Sequence, residues 1–106
     1  MIPRVKGQFN VESVRAMIDS DIPEVVEIER LVAHHPWSGN AFSESLSAGY
    51  TCWVVESNKQ VIAYLVQSFF TEESEILNLA VISSHQCQGI GRGLVKKACA
   101  DAVKNG

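Results

Sequence analysis

The chain has no long apolar run, no strong surplus of either charge and no cysteine-pairing pattern, and each absence removes a class of protein. No apolar stretch reaches the roughly 18 residues needed to cross a bilayer. Met1 to Asn10 lack an apolar core and a small-residue cleavage site, so no signal peptide is expected there. That segment reads as a flexible extension ahead of a single domain over residues 11–106. The net charge of −3 argues against nucleic acid as the main partner, because phosphate binding needs a basic surplus. Three cysteines, Cys52, Cys87 and Cys99, are odd in number and show no C-x-x-C spacing. Reduced thiols in a cytoplasmic protein fit them better than a disulfide framework or a zinc site. No internal repeat or low-complexity segment is visible.

What remains is an ordinary globular composition, 46% apolar and 20% charged, with two alternating periodicities. Val11 to Ile18 alternates as a strand does. Asp21 can cap a helix, with Pro23 in its first turn and Glu24 three residues on. Ile22, Val25, Val26, Ile28, Leu31 and Val32 then form a helical stripe, which His34-His35-Pro36 ends. A second helix is expected from Ala41 to Ala48, capped by Asn40 and stopped by Gly49. Thr51–Glu56, Val61–Phe69 and Glu75–Ile82 are strand-like, the first two joined by a hairpin turn at 57–60. From Gly89 onward, Ile90, Leu94, Val95, Ala98, Cys99, Ala102 and Val103 mark one face of a last helix. Three strands in succession favour a mostly antiparallel α+β sheet over a doubly wound parallel one.

Between the last strand and the last helix lies Gln86-Cys87-Gln88-Gly89-Ile90-Gly91, followed by Arg92 and Gly93. The start of a helix offers unpaired backbone N–H groups backed by the favourable end of the helix dipole, a natural cradle for phosphate. Glycine lets the backbone come close without a Cβ clash, and Arg92 adds a cation. Glycine spacing alone leaves a plain chain-reversing turn equally open. The dinucleotide fingerprint does not fit, since its third glycine would come one residue after Gly93. The nucleoside-triphosphate loop does not fit either, lacking its Lys-Ser or Lys-Thr pair.

Gln86-x-x-Gly89-x-Gly91, after the strand Asn78-Leu79-Ala80-Val81, resembles the signature of the GNAT acetyltransferases. Ile28-Glu29-Arg30, His35-Pro36-Trp37-Ser38, Phe42 and Ile76 to Val81 are similar to the RimI-like branch, which acetylates the N-terminal alanine of a ribosomal protein. The resemblance covers roughly residues 11 to 105. It implies a GNAT fold, with a mixed, mostly antiparallel sheet flanked by helices, and acetyl-coenzyme A as co-substrate without a metal. The pantetheine arm would run along Leu79, Ala80 and Val81. Backbone N–H groups from Cys87 through Arg92 would hold the pyrophosphate, with Gln86, Gln88, Gly89, Ile90, Gly91 and Gly93 shaping the loop. Val81 N–H would polarise the thioester carbonyl. The acceptor would be a protein N-terminus, with a small-molecule amine or a non-catalytic coenzyme A-binding module as the alternatives.

The branch draws its base glutamate and acid tyrosine from segments with no counterpart up to Gly106. The resemblance therefore implies a domain lacking the C-terminal strands and inactive, or nearly so, by itself. Its strand at Glu75 to Ile82 would be an open edge prone to pairing with another chain. Glu75 matches the water-mediated base of histone-type relatives; a solvated glutamate at a strand end, beside Glu72 and Glu73, is the simpler reading. His34 and His35 point apart on a helix and make a poor metal pair. Trp37 could line the acceptor side or pack the loop, whereas Trp53 and Tyr64 read as core.

Overall fold

The computed structural model describes residues 14–70, 73–86 and 89–105. Residues 1–10, expected to be an extension, the start of the first expected strand, Glu72, Cys87 and Gln88 lie outside them. The elements run β1 (Val14–Ala16), α1 (Ile22–Val32), α2 (Gly39–Ser47), β2 (Thr51–Ser57), β3 (Gln60–Phe70), β4 (Glu73–Val81) and α3 (Ile90–Asn105). Short 3-10 turns precede α1 at Asp19–Asp21 and follow β4 at Ser83–His85. The strands pair in chain order, β1-β2-β3-β4, each antiparallel to its neighbour. The α+β architecture expected from three successive strands is the one found.

The β2–β3 hairpin closes through Asn58 and Lys59, with φ of 52° and 65°. Two consecutive left-handed residues make the type I′ turn, whose twist matches that of paired strands. Two bulges interrupt the ladders. Val55 and Glu56 face Ala63 and Val61, leaving Ile62 as the extra residue of β3. Val66 and Gln67 face Asn78 and Ile76, leaving Leu77 as the extra residue of β4. A bulge puts two successive residues on nearly the same side. Leu77 accordingly packs with the α1–α2 face, the side on which Asn78 also lies.

The sheet separates two cores. On one face Val25 and Ile28 of α1 and Phe42 of α2 pack on Val54, Tyr64, Val66 and Ala80. Phe42 sits at the centre, its ring edge-on to Tyr64 at 5.5 Å and tilted against Trp37 at 5.2 Å. On the other face Ile90, Leu94 and Ala98 of α3 cover Val55, Ile62, Ala63 and Leu65, with Leu79 and Val81 beside them. Burying such side chains stabilises each face by about 1.5–3 kcal/mol per residue. The antiparallel hairpins need short turns, and the two helix layers then sandwich the sheet they leave behind.

Four local expectations are corrected. Asp21 stands at the start of α1 but does not cap it; its carboxylate accepts from Arg15 Nη1 and Nη2 at 2.8 and 2.7 Å and from Ile18 N–H at 2.8 Å. The stronger cationic partner takes the oxygens a cap would use. The cap of α2 is Ser38, whose Oγ accepts from Ala41 N–H at 3.2 Å, and Asn40 lies inside the helix. In α1, Leu31 and Val32 are 81% and 38% exposed, while Glu29 is 2% exposed. Trp53 is half-buried rather than core, with Lys97 Nζ 4.1 Å above its ring and its Nε1 donating to Asp101. The reading of Tyr64 as core holds.

Candidate functional site

β4 is the last strand of the sheet among the described residues, so one of its edges has no strand partner. Ladder parity decides which groups face that edge. Ile82 N–H donates to Ile62 O at 2.9 Å, and antiparallel hydrogen-bonded pairs recur every second residue. Ala80 and Asn78, opposite Tyr64 and Val66, therefore turn their backbone groups into the sheet. Leu79 and Val81 turn theirs outward. Val81 O is already engaged, because the Gln86 side-chain amide donates to it at 2.9 Å. The outward N–H of Val81 has no hydrogen bond among the described residues.

The same strand runs through a 3-10 turn to the start of α3. Gly89 has φ of 78°, a left-handed conformation that a side chain strains. Its carbonyl accepts the first helical hydrogen bond, from Gly93 N–H at 2.9 Å. The N–H groups of Ile90, Gly91 and Arg92 thus precede the first helical donor and stay available to a ligand. Ile90 is buried and anchors the turn, whereas Arg92 is exposed and has no ion pair among the described residues. A Cβ on Gly91 would lie 3.9 Å from Val81 Cγ2, an ordinary contact. The protein itself thus has room for alanine there, and any need for glycine comes from what approaches outside.

On the opposite face of β4 lies a cluster absent from the sequence reading. Glu29 Oε2 accepts from Trp37 N–H at 2.9 Å, and its Oε1 accepts from Asn78 Nδ2 at 3.1 Å and from the Tyr64 hydroxyl. Three donors and no acceptor converge, which is what a carboxylate can satisfy. Burial and the neighbouring carboxylate both push Tyr64 well above the ordinary phenol range, so it stays a donor. Two cues were present. A glutamate stands four residues after Val25 on the buried stripe, and an asparagine interrupts a strand of Ile, Leu, Ala and Val.

The other expected residues scatter. Glu75 is exposed on β4, opposite Ser68. His34 and His35 are exposed at the end of α1, and His85 Nδ1 meets only Ser84 Oγ, at 2.9 Å. Trp37 is half-buried and packs on Phe42. Cys52 is buried, and burial raises its thiol to about 11.

An open strand edge leading into a glycine-started helix is the arrangement the acetyltransferase signature implies. Residues 11–106 match the model of the acetyltransferase (GNAT) family. The chain belongs to that family. Among curated proteins, this GNAT chain is 24% identical over 96 residues to the [ribosomal protein bS18]-alanine N-acetyltransferase of Escherichia coli K12. The alignment covers 91% of the chain and 65% of that enzyme, so the GNAT chain spans less than two thirds of its relative. The crystal structure of the ribosomal-protein-S18-alanine N-acetyltransferase from Escherichia coli superposes with a TM-score of 0.80 at 25% identity. It covers 88% of the chain and 60% of that structure. The PaiA N-acetyltransferase of Thermoplasma acidophilum, solved with coenzyme A, shares the fold with a TM-score of 0.76 at 12% identity. That match covers 87% of the chain and 72% of the structure. No helix among the described residues of this GNAT chain is long and apolar enough to cross a membrane.

Proposed function

We propose that this chain supplies the acetyl-coenzyme A-holding part of a protein N-terminal acetyltransferase whose acceptor is the α-amine of a ribosomal protein. The observation that carries the reading is the open edge of β4 leading to the glycine-started helix α3. Outward backbone groups of Leu79 and Val81 suit the amides of pantetheine, with Ala80 spacing them. The N–H groups of Ile90, Gly91 and Arg92 suit a pyrophosphate, and the Arg92 guanidinium adds charge. Cys87 and Gln88 would complete the loop, Gly89 and Gly93 allow its close approach, and Gln86 tethers it to Val81.

Acetyl-coenzyme A is written here as the substrate that brings the acetyl group. Val81 N–H, fixed by the ladder, is the donor for the charge that develops on the thioester oxygen. Glu75, exposed on the α1–α2 side of the strand, is the proposed base; at about 3.3 Å per residue it stands roughly 18–20 Å from Val81, so the amine proton would reach it through a chain of waters. An α-amine, with a reference pKa of about 7.7–8.0, asks less of such a base than a lysine at about 10.4. The likeness to the bS18 enzyme supports the choice of acceptor side chain and cellular partner.

Calorimetry with coenzyme A and acetyl-coenzyme A tests the cofactor assignment, and saturable binding that Arg92→Glu weakens is expected. Transfer assays then compare an alanine-first peptide of bS18 with small amines. Turnover of small amines alone would sink the N-terminal assignment. Binding without any turnover would favour a coenzyme A-binding module. No binding of either thiol or thioester would sink the cofactor reading itself.

A further inference from the structure

The Glu29 cluster does more than fill the core. An asparagine amide has two ends, and the Glu29 carboxylate can only accept, so Nδ2 must face it. The planar amide then sends Oδ1 the other way. That oxygen has no hydrogen bond among the described residues, and it is not one of the buried unpartnered atoms, as Gln67 Oε1 is. It reaches solvent beside the open edge of β4. The backbone groups of Asn78 are committed to the ladder with Val66, so the side chain alone is available. A negative charge 3.1 Å from Nδ2 polarises the amide and makes Oδ1 a stronger acceptor. The site is therefore built to receive an N–H donor, and a cationic one best.

Position selects which donor. Leu79 and Val81 pack their side chains with α3, on the face away from Glu29. A coenzyme running from the start of α3 along the edge comes from that side. A second substrate must approach from the α1–α2 side, where Asn78 lies. We infer that Asn78 Oδ1, turned outward by Glu29, accepts an N–H from the amine-bearing substrate and helps to seat it. The inference rests on the acetyltransferase reading. Asn78 is then a binding residue and Glu29 a positioning residue.

The test titrates a six-residue peptide with a free N-terminal alanine into the coenzyme A-loaded full chain. Counterparts carry an acetylated α-amine or an N-methylated first peptide bond. Asn78→Leu should weaken the free peptide about three- to tenfold, the worth of one hydrogen bond. One of the modified peptides should lose a similar factor on the wild-type chain and little more on Asn78→Leu. Glu29→Gln should weaken peptide binding less. Tyr64→Phe, which removes a donor to Glu29 but leaves Asn78 pinned, should lower the melting temperature and keep peptide affinity within about twofold. If Asn78→Leu does not fold, Glu29→Gln and Tyr64→Phe still separate seating from packing, and equal losses of affinity in both would overturn the inference. Additive losses in Asn78→Leu, or unchanged affinity, would overturn it too. So would absence of peptide binding by a chain that does bind coenzyme A. A chain that binds no coenzyme A overturns the acetyltransferase reading along with it.

Discussion

The two faces of the sheet are built on opposite principles. The α1–α2 face holds a carboxylate, a phenol and an amide in one hydrogen-bonded cluster under its aromatic core. Among the described residues the α3 face is apolar almost throughout, and its buried Gln67 donates to Ala98 O at 3.0 Å and leaves Oε1 unpartnered. On the proposed reading, the α3 side would hold phosphate through backbone geometry alone, since the start of the helix needs only glycine and unpaired N–H groups. Side chains organise the other side. A substrate gripped by backbone tolerates much change nearby, whereas one gripped through a buried network depends on every member.

Substitutions on each face should break that contrast by different amounts. Glu29→Leu leaves one buried and two part-buried donors unmatched and should cost about 4 kcal/mol, at about 1–3 per stranded group, read from urea unfolding. A loss under about 1 kcal/mol would mean that water reaches the cluster. Leu94→Ala, fully buried on the apolar face, should cost about 3 kcal/mol through its cavity and leave the Glu29 cluster intact. Gly89→Ala forces a side chain into a left-handed residue and should cost about 1–2 kcal/mol, while Gly91→Ala should be near neutral. Coenzyme A affinity measured beside these melts separates folding from binding. At the helix start on the polar face, Ser38→Ala should cost about 1 kcal/mol and Asn40→Ala almost nothing.

The smallest effect is in acid. The Arg15 hydrogen bonds hold Asp21 below its ordinary value, against the opposing pull of burial. The stability this adds is present above the unfolded value of about 3.9 and is lost as pH falls through the lower folded value. Urea midpoints of the wild type and Asp21→Asn should therefore converge below about pH 4. A gap that persists at the lowest pH would assign the stabilisation to packing instead.

The elements were legible because periodicity and turn chemistry report backbone needs. Asn58 marked a hairpin, and Gly49, with φ of 80°, marked the end of α2. Gln86 to Gly91 marked the loop, because glycine spacing and a preceding strand are local signals. What failed was tertiary. Counting apolar residues put Leu31 and Val32 on the buried stripe of α1, yet the sheet meets Val25, Ile28 and Glu29 instead. A carboxylate enters a core only when distant donors meet it, and Tyr64 and Asn78 lie 35 and 49 residues away. Asp21 illustrates the same competition, drawn from capping by Arg15. The bulge at Leu77 has no signature in a strand of ordinary composition.

The Gln86 amide resting on Val81 O gives the edge of β4 a direction. A strand that pairs with an edge residue both gives and takes a hydrogen bond there. At Val81 it would find a free donor and an acceptor shared with the Gln86 amide. The edge thus offers a full exchange at Leu79 and favours an oxygen seeking an N–H at Val81. Freeing the carbonyl, as Gln86→Ala would do, removes that local bias and leaves Val81 as ordinary strand edge, with an ordinary tendency to stick.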